Sequence, residues 1–107
     1  MLRLKVWTID SAQHFFRKRH WLREELKPFE DVMSIYARQV DAITFDENVL
    51  IFEMNDGLRI TVGETDNGLN QLERTLRWFG VEGDWYSQLE QGGPGTELCL
   101  FQKMAKA

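Results

Sequence analysis

The chain has 107 residues, 43% of them apolar, which suffices for one core and is too short for two domains, so residues 1–107 are expected to form a single domain. Its 13 Lys/Arg against 17 Asp/Glu leave a net charge of -4, which argues against generic binding to nucleic acid or an anionic membrane. A single cysteine, Cys99, excludes an internal disulfide, and no apolar run approaches the ~20 residues that span a bilayer.

The N-terminus MLRLKVWTID alternates charged and apolar residues where a signal peptide has a continuous apolar stretch, so the expected location is the cytoplasm. The same alternation of Leu2, Leu4 and Val6 with Arg3, Lys5 and Trp7 predicts a strand over residues 2–8. Asp10 and Gln13 then have the spacing of a capping box, predicting a helix from there to about Lys27, where Pro28 stops it. On that helix Phe15, Leu22 and Leu26 share one stripe with Arg19 inside it, while His14, Trp21 and Phe16 fall on its flanks. Pro28, Phe29, Val32, Met33 and Tyr36 suggest a second short helix to about Arg38, although Ile35 and Tyr36 fit the start of a strand equally.

Val40 to Phe45 reads as a strand and Asp46-Glu47-Asn48 as a turn into the next. The segment Val49 to Val62 carries two complete strand patterns joined by a turn. If Asn55, Asp56 and Gly57 form a three-residue loop with Gly57 at positive φ, Met54 faces Leu58, Phe52 faces Ile60 and Leu50 faces Val62, an apolar face. Glu53 then opposes Arg59, and Ile51 opposes Thr61. A two-residue Asp56-Gly57 turn scrambles those faces, which selects the longer loop.

After Gly63, the residues Thr65, Asp66 and Asn67 offer caps for a helix to Phe79, with Leu69, Leu72 and Leu76 as its stripe and Gly80 as its C-terminal stop. Trp78 points away from that stripe. Residues 82–91 suggest a turn of helix with Trp85 and Leu89 on one side, Gly92-Gly93-Pro94-Gly95 a loop, and Leu98 to Gln102 a strand with two apolar faces, expected in the sheet interior with Cys99 buried. The order predicts an α+β fold: a mostly antiparallel sheet of N-terminal strand, central three-stranded meander and C-terminal strand, with two main helices on one face.

Chemistry is sparse in this pattern. His14 and His20 are six apart, off the i, i+4 spacing of a helical metal pair, and no cofactor or metal site is expected. Asp10 with His14 and His20 with Glu24 are i, i+4 pairs of the kind charged helices carry without catalytic meaning. The glycine loop lacks the Lys-Ser/Thr of a phosphate cradle. What remains is a surplus of aromatic and basic residues: Phe16, Arg17, Arg19, Trp21 and Arg23 in one cluster, and Trp78, Trp85 and Tyr86 in another. Residues 1–40 carry a balance of +3 and residues 41–107 one of -7, so the basic cluster suits an acidic partner or a twin subunit. The expectation is a non-catalytic protein-interaction module that binds another protein or self-associates as a homodimer. The alternative is a small-molecule-binding protein or small enzyme with a pocket between sheet and helices, where His14, Arg19 and Glu64 supply the polar groups.

Overall fold

The computed structural model describes residues 7–41 and 46–103, and over these the chain folds as α+β with two antiparallel sheets. The smaller has the order β1-β2-β3, from Trp7–Asp10, Phe15–Arg19 and Glu24–Pro28. The larger has the order β6-β5-β4-β7, from Arg59–Gly63, Asp46–Met54, Val32–Asp41 and Glu97–Gln102. In the chain, β6 is followed by α1 (Glu64–Asn67), α2 (Leu69–Trp78) and α3 (Trp85–Gly92), and then by β7. No helix among the described residues is long and apolar enough to cross a membrane.

The β5–β6 hairpin has the predicted register. Leu50 pairs with Val62, Ile51 with Thr61, Phe52 with Ile60 and Glu53 with Arg59. The Met54 amide donates to the Leu58 carbonyl at 2.8 Å, Gly57 sits at φ +89°, and the Arg59 Nε donates to Glu53 at 3.0 Å. Leu50, Phe52, Ile60 and Val62 are fully or almost fully buried, as an apolar face at period two requires.

Helix α2 also follows its pattern, with Leu72 and Leu76 buried and Arg77 4.0 Å from Glu73 one turn earlier. It ends in a Schellman motif: the Gly80 amide donates to Arg77 and the Val81 amide to Leu76, with Gly80 at φ +79°. Its start differs from expectation. Gly68, at φ +81°, breaks the predicted helix into α1 and α2, and Asn67 is diverted from capping because its Oδ1 accepts from the Ile9 amide at 2.9 Å. Helix α3 buries Trp85 and Leu89, as their spacing implies.

The predicted helix from Asp10 to Lys27 is a hairpin. Asp10 does accept from the Gln13 amide at 3.0 Å, but the bond closes a tight turn that His14, at φ +64°, converts into β2. Cross-strand pairing overrides helical propensity here because β2 alternates, sending Phe16 fully into the core and Phe15, Arg17 and Arg19 outward. The predicted helix over 28–38 is one 3₁₀ turn, Phe29–Asp31, followed by strand. The expected turn at Asp46-Glu47-Asn48 lies within β5, with Asn48 buried, while residues 42–45 of the preceding strand prediction and residues 2–6 of the first lie outside the described set. Trp7 and Ile9 are the core-facing residues of β1.

Among the described residues the final strand is an edge and not interior, and Cys99 is exposed. A bulge explains its two apolar faces: Tyr36 pairs with Cys99 and Ile35 with Phe101, so Leu100 is the extra residue and Phe101 is turned inward. The Phe101 ring lies 5.2 Å from that of Phe79. The sheets meet through aromatic rings, Phe16 lying 4.7 Å from Phe52 and 4.9 Å from Phe29. Such pairs add about 0.5–1.5 kcal/mol each beyond their burial.

Candidate functional site

Strands β2 and β3 form a five-residue antiparallel ladder from Phe15 opposite Pro28 to Arg19 opposite Glu24. The His20 amide donates to the Arg23 carbonyl at 2.8 Å, leaving Trp21 and Leu22 as the two tip residues. Two-residue hairpin turns favour Asn-Gly or Gly-X, because their preferred forms need positive φ. Among the described residues only His14 has positive φ outside the glycines, so Trp21 and Leu22 supply none of that geometry. Folding therefore gives no reason for these residue types. Trp21 is 83% and Leu22 99% exposed, and Leu26, on the outward face of β3, is 49% exposed. Burying a side chain of this kind is worth about 1.5–3 kcal/mol.

The charges below the tip are largely answered within the hairpin. Arg19 Nη2 lies 3.0 Å from Glu24, Arg17 lies 3.5 Å from Glu24 and 3.8 Å from Asp10, and His20 Nε2 lies 3.4 Å from Glu25. Lys18 sits over the Trp7 ring at 5.5 Å. Arg23, beside the tip, has no carboxylate partner among the described residues.

At the other end of this hairpin is an apolar groove of about 430 Å³ lined by Phe29, Val32, Trp78, Phe79 and Phe101, with Glu30 and Lys103 at its rim. Trp78 is 42% exposed, and its ring lies 5.4 Å from those of His14 and Phe29 and 4.8 Å from that of Phe79. Two bonds hold this end against the β5–β6 turn: Lys27 donates to Asp56 at 3.1 Å and the Asn55 amide to the Asp31 carbonyl at 2.8 Å. The Asp56 carboxyl is held below its ordinary value, first by the Leu58 amide and then by Lys27.

The other predicted site residues disperse. Phe16 and Trp85 are core residues, so neither is available to a partner: Phe16 is turned inward by strand alternation and Trp85 by the α3 stripe. Tyr86 is half-buried and donates to Glu64 at 3.4 Å; burial, then the Glu64 and Glu90 carboxylates, push its phenol above the ordinary value. Trp85 packs edge-on to Tyr86, and the rings beside Trp78 are His14, Phe29 and Phe79. The three groups of the pocket alternative do not converge: His14 stacks at Trp78, Arg19 pairs with Glu24 near the tip, and Glu64 serves Tyr86.

Two polar clusters are structural. Gln39 and Asn48, both buried, donate to the Glu90 carboxylate at 2.9 and 3.3 Å and so dock α3 on β4 and β5. A second hollow, of about 320 Å³ beside β1 and α2, is lined by Arg17 and Arg74; Arg17 lies 3.8 Å from Asp10 and 3.5 Å from Glu24, and its buried Nε makes no hydrogen bond among the described residues. Among the described residues no group of three or more His, Cys, Asp or Glu is placed to hold a metal.

Sequence reasoning placed Trp21, Arg23 and Trp78 among the candidates but left out Leu22, Leu26 and most of the groove lining. No local signal marks Leu22, since His20-Trp21-Leu22-Arg23 contains none of the residues that declare a hairpin turn. The groove joins residues from four separate elements and has no local signature. No protein-family model matches the chain, and no curated protein and no solved structure was found to match it.

Proposed function

We propose that this chain is a non-catalytic protein-interaction module of the cytoplasm, and that the tip of the β2–β3 hairpin is its contact element. One observation carries the reading: the tip presents a tryptophan and a leucine, 83% and 99% exposed, in a turn that needs neither. Trp at the centre of a buried contact supplies a disproportionate share of binding energy, and charged neighbours set orientation. Arg23 supplies such a charge, and Leu26 continues the apolar surface along the hairpin.

A photo-crosslinking residue placed at Leu22 in the chain in its own cells tests this. The expected result is one or a few adducts of defined mass that disappear when Trp21 is replaced by Ser. Absence of any Trp21-dependent adduct overturns the reading.

A further inference from the structure

Resting on that reading, we infer that the partner of the hairpin tip is a second copy of this chain, whose apolar groove receives it across a two-fold axis. The tip and the groove lie at opposite ends of one hairpin, since Phe29 follows directly on Pro28 at the end of β3. The five-residue ladder separates them by roughly 16 Å at ~3.3 Å per residue, so the tip of a rigid strand pair cannot fill its own groove. Two copies laid antiparallel, however, bring each tip to the other's groove, the reciprocal arrangement a two-fold dimer requires.

The edge of the small sheet fits this layout. Strand β3 has one neighbour, β2, among the described residues, so its other edge is open. Its sequence, Glu24-Glu25-Leu26-Lys27-Pro28, is self-complementary when read antiparallel about Leu26. Leu26 then faces its own copy, Glu25 faces the partner's Lys27, and like charges avoid one another. The paired register ends at Glu24 opposite the partner's Pro28, beyond which the partner's chain turns into the 3₁₀ segment Phe29–Asp31, so Arg23 and the tip run on towards the partner's Phe29 and Glu30 at the groove. Arg23 and Glu30, neither with an ion pair among the described residues, are thereby brought together. A groove of about 430 Å³ falls within the ~300–1,000 Å³ range of pockets that enclose a ligand of a few side chains. An anionic bilayer fits less well, because Asp10, Glu24 and Glu25 answer most of the cations behind the tip and the chain is acidic as a whole.

Light scattering across a concentration series, with disulfide trapping, tests the arrangement. The full chain is expected to double in mass as concentration rises, and Trp21→Ser/Leu22→Ser to remain a monomer with an unchanged circular dichroism spectrum. Trp78→Ala is expected to remain a monomer alone and to form dimers when mixed with the tip variant, since that pair retains one intact tip and one intact groove. The register is read by Leu26→Cys in a Cys99→Ser background, which removes the other exposed thiol. Antiparallel partners ~4.5–5.5 Å apart at Cα lie within disulfide reach, so mild oxidation is expected to give a covalent dimer in high yield. A chain that stays monomeric at every concentration, or a dimer that the tip variant still forms, overturns the inference. A monomeric chain whose Leu22 position still crosslinks a different protein overturns only the self-partner and leaves the interaction reading standing; loss of the crosslinks as well removes both.

Discussion

The two hairpins of this protein, β5–β6 and β2–β3, are built on the same antiparallel ladder and differ in the chemistry of their turns. Asn55-Asp56-Gly57 is turn chemistry: Asp56 accepts from the Leu58 amide at 3.0 Å and from Lys27 at 3.1 Å, and Gly57 supplies the positive φ. Trp21-Leu22 supplies no positive φ, and both side chains stand in solvent. A turn that favours folding is polar and self-bonded, whereas a turn that keeps apolar groups in water has another use. The contrast is what supports the tip as the proposed contact surface.

The comparison is sharpened by substitutions that separate root, turn and tip. The largest effect belongs at the root of β2–β3, where Phe16→Ala removes a fully buried ring that contacts Phe29 and Phe52. Its expected cost is about 3–5 kcal/mol by urea unfolding, and a loss below ~1 kcal/mol would detach this hairpin from the core. Next comes Gly57→Val. Nothing crowds a Cβ at that position, so the cost is the positive φ alone, about 1–3 kcal/mol, and Gly57→Asn should recover much of it.

Acid should weaken the first turn and spare the second. Asp56 has a folded-state pKa below its ordinary 3.8, so its support of the loop is complete above that value and is lost as pH falls through the depressed one. Amide shifts of Asn55 to Leu58 followed by NMR should move in that range, and Asp56→Asn should abolish the movement. The smallest effect on stability is expected at the second tip. Trp21→Asn with Leu22→Gly supplies ordinary turn residues and should leave the fold unchanged or slightly more stable while removing the proposed docking surface.

How much of this was legible follows from the same contrast. The β5–β6 register could be read because Gly57 fixes the loop and one slip would turn every apolar side chain outward. Helix α2 could be read from Leu69, Leu72 and Leu76 with Gly80 as its stop. Residues 11–27 could not, because they contain no Val, Ile or Thr to declare a strand and no Gly or Asn to declare a turn. Lys18 further obscures the alternation by lying on the inward face, over Trp7. The adjacent Phe15 and Phe16 satisfy either period, so only pairing with β1 and β3 decides which one is buried. The bulge at Leu100 hid the edge position of β7 in the same way, since a bulge belongs to a pair of strands and leaves no mark on one. The groove was illegible for a related reason, its lining coming from β4, β7, the end of α2 and the 3₁₀ turn.

Trp21 and Leu22 are proposed to serve contact and not folding. The most direct measurement is the urea midpoint of Trp21→Asn/Leu22→Gly beside that of the parent chain, at a protein concentration where light scattering finds both monomeric, so that association does not contribute. The expected midpoint equals or exceeds the parent's. A midpoint well below the parent's would show that the tip belongs to the fold and would overturn its assignment to contact.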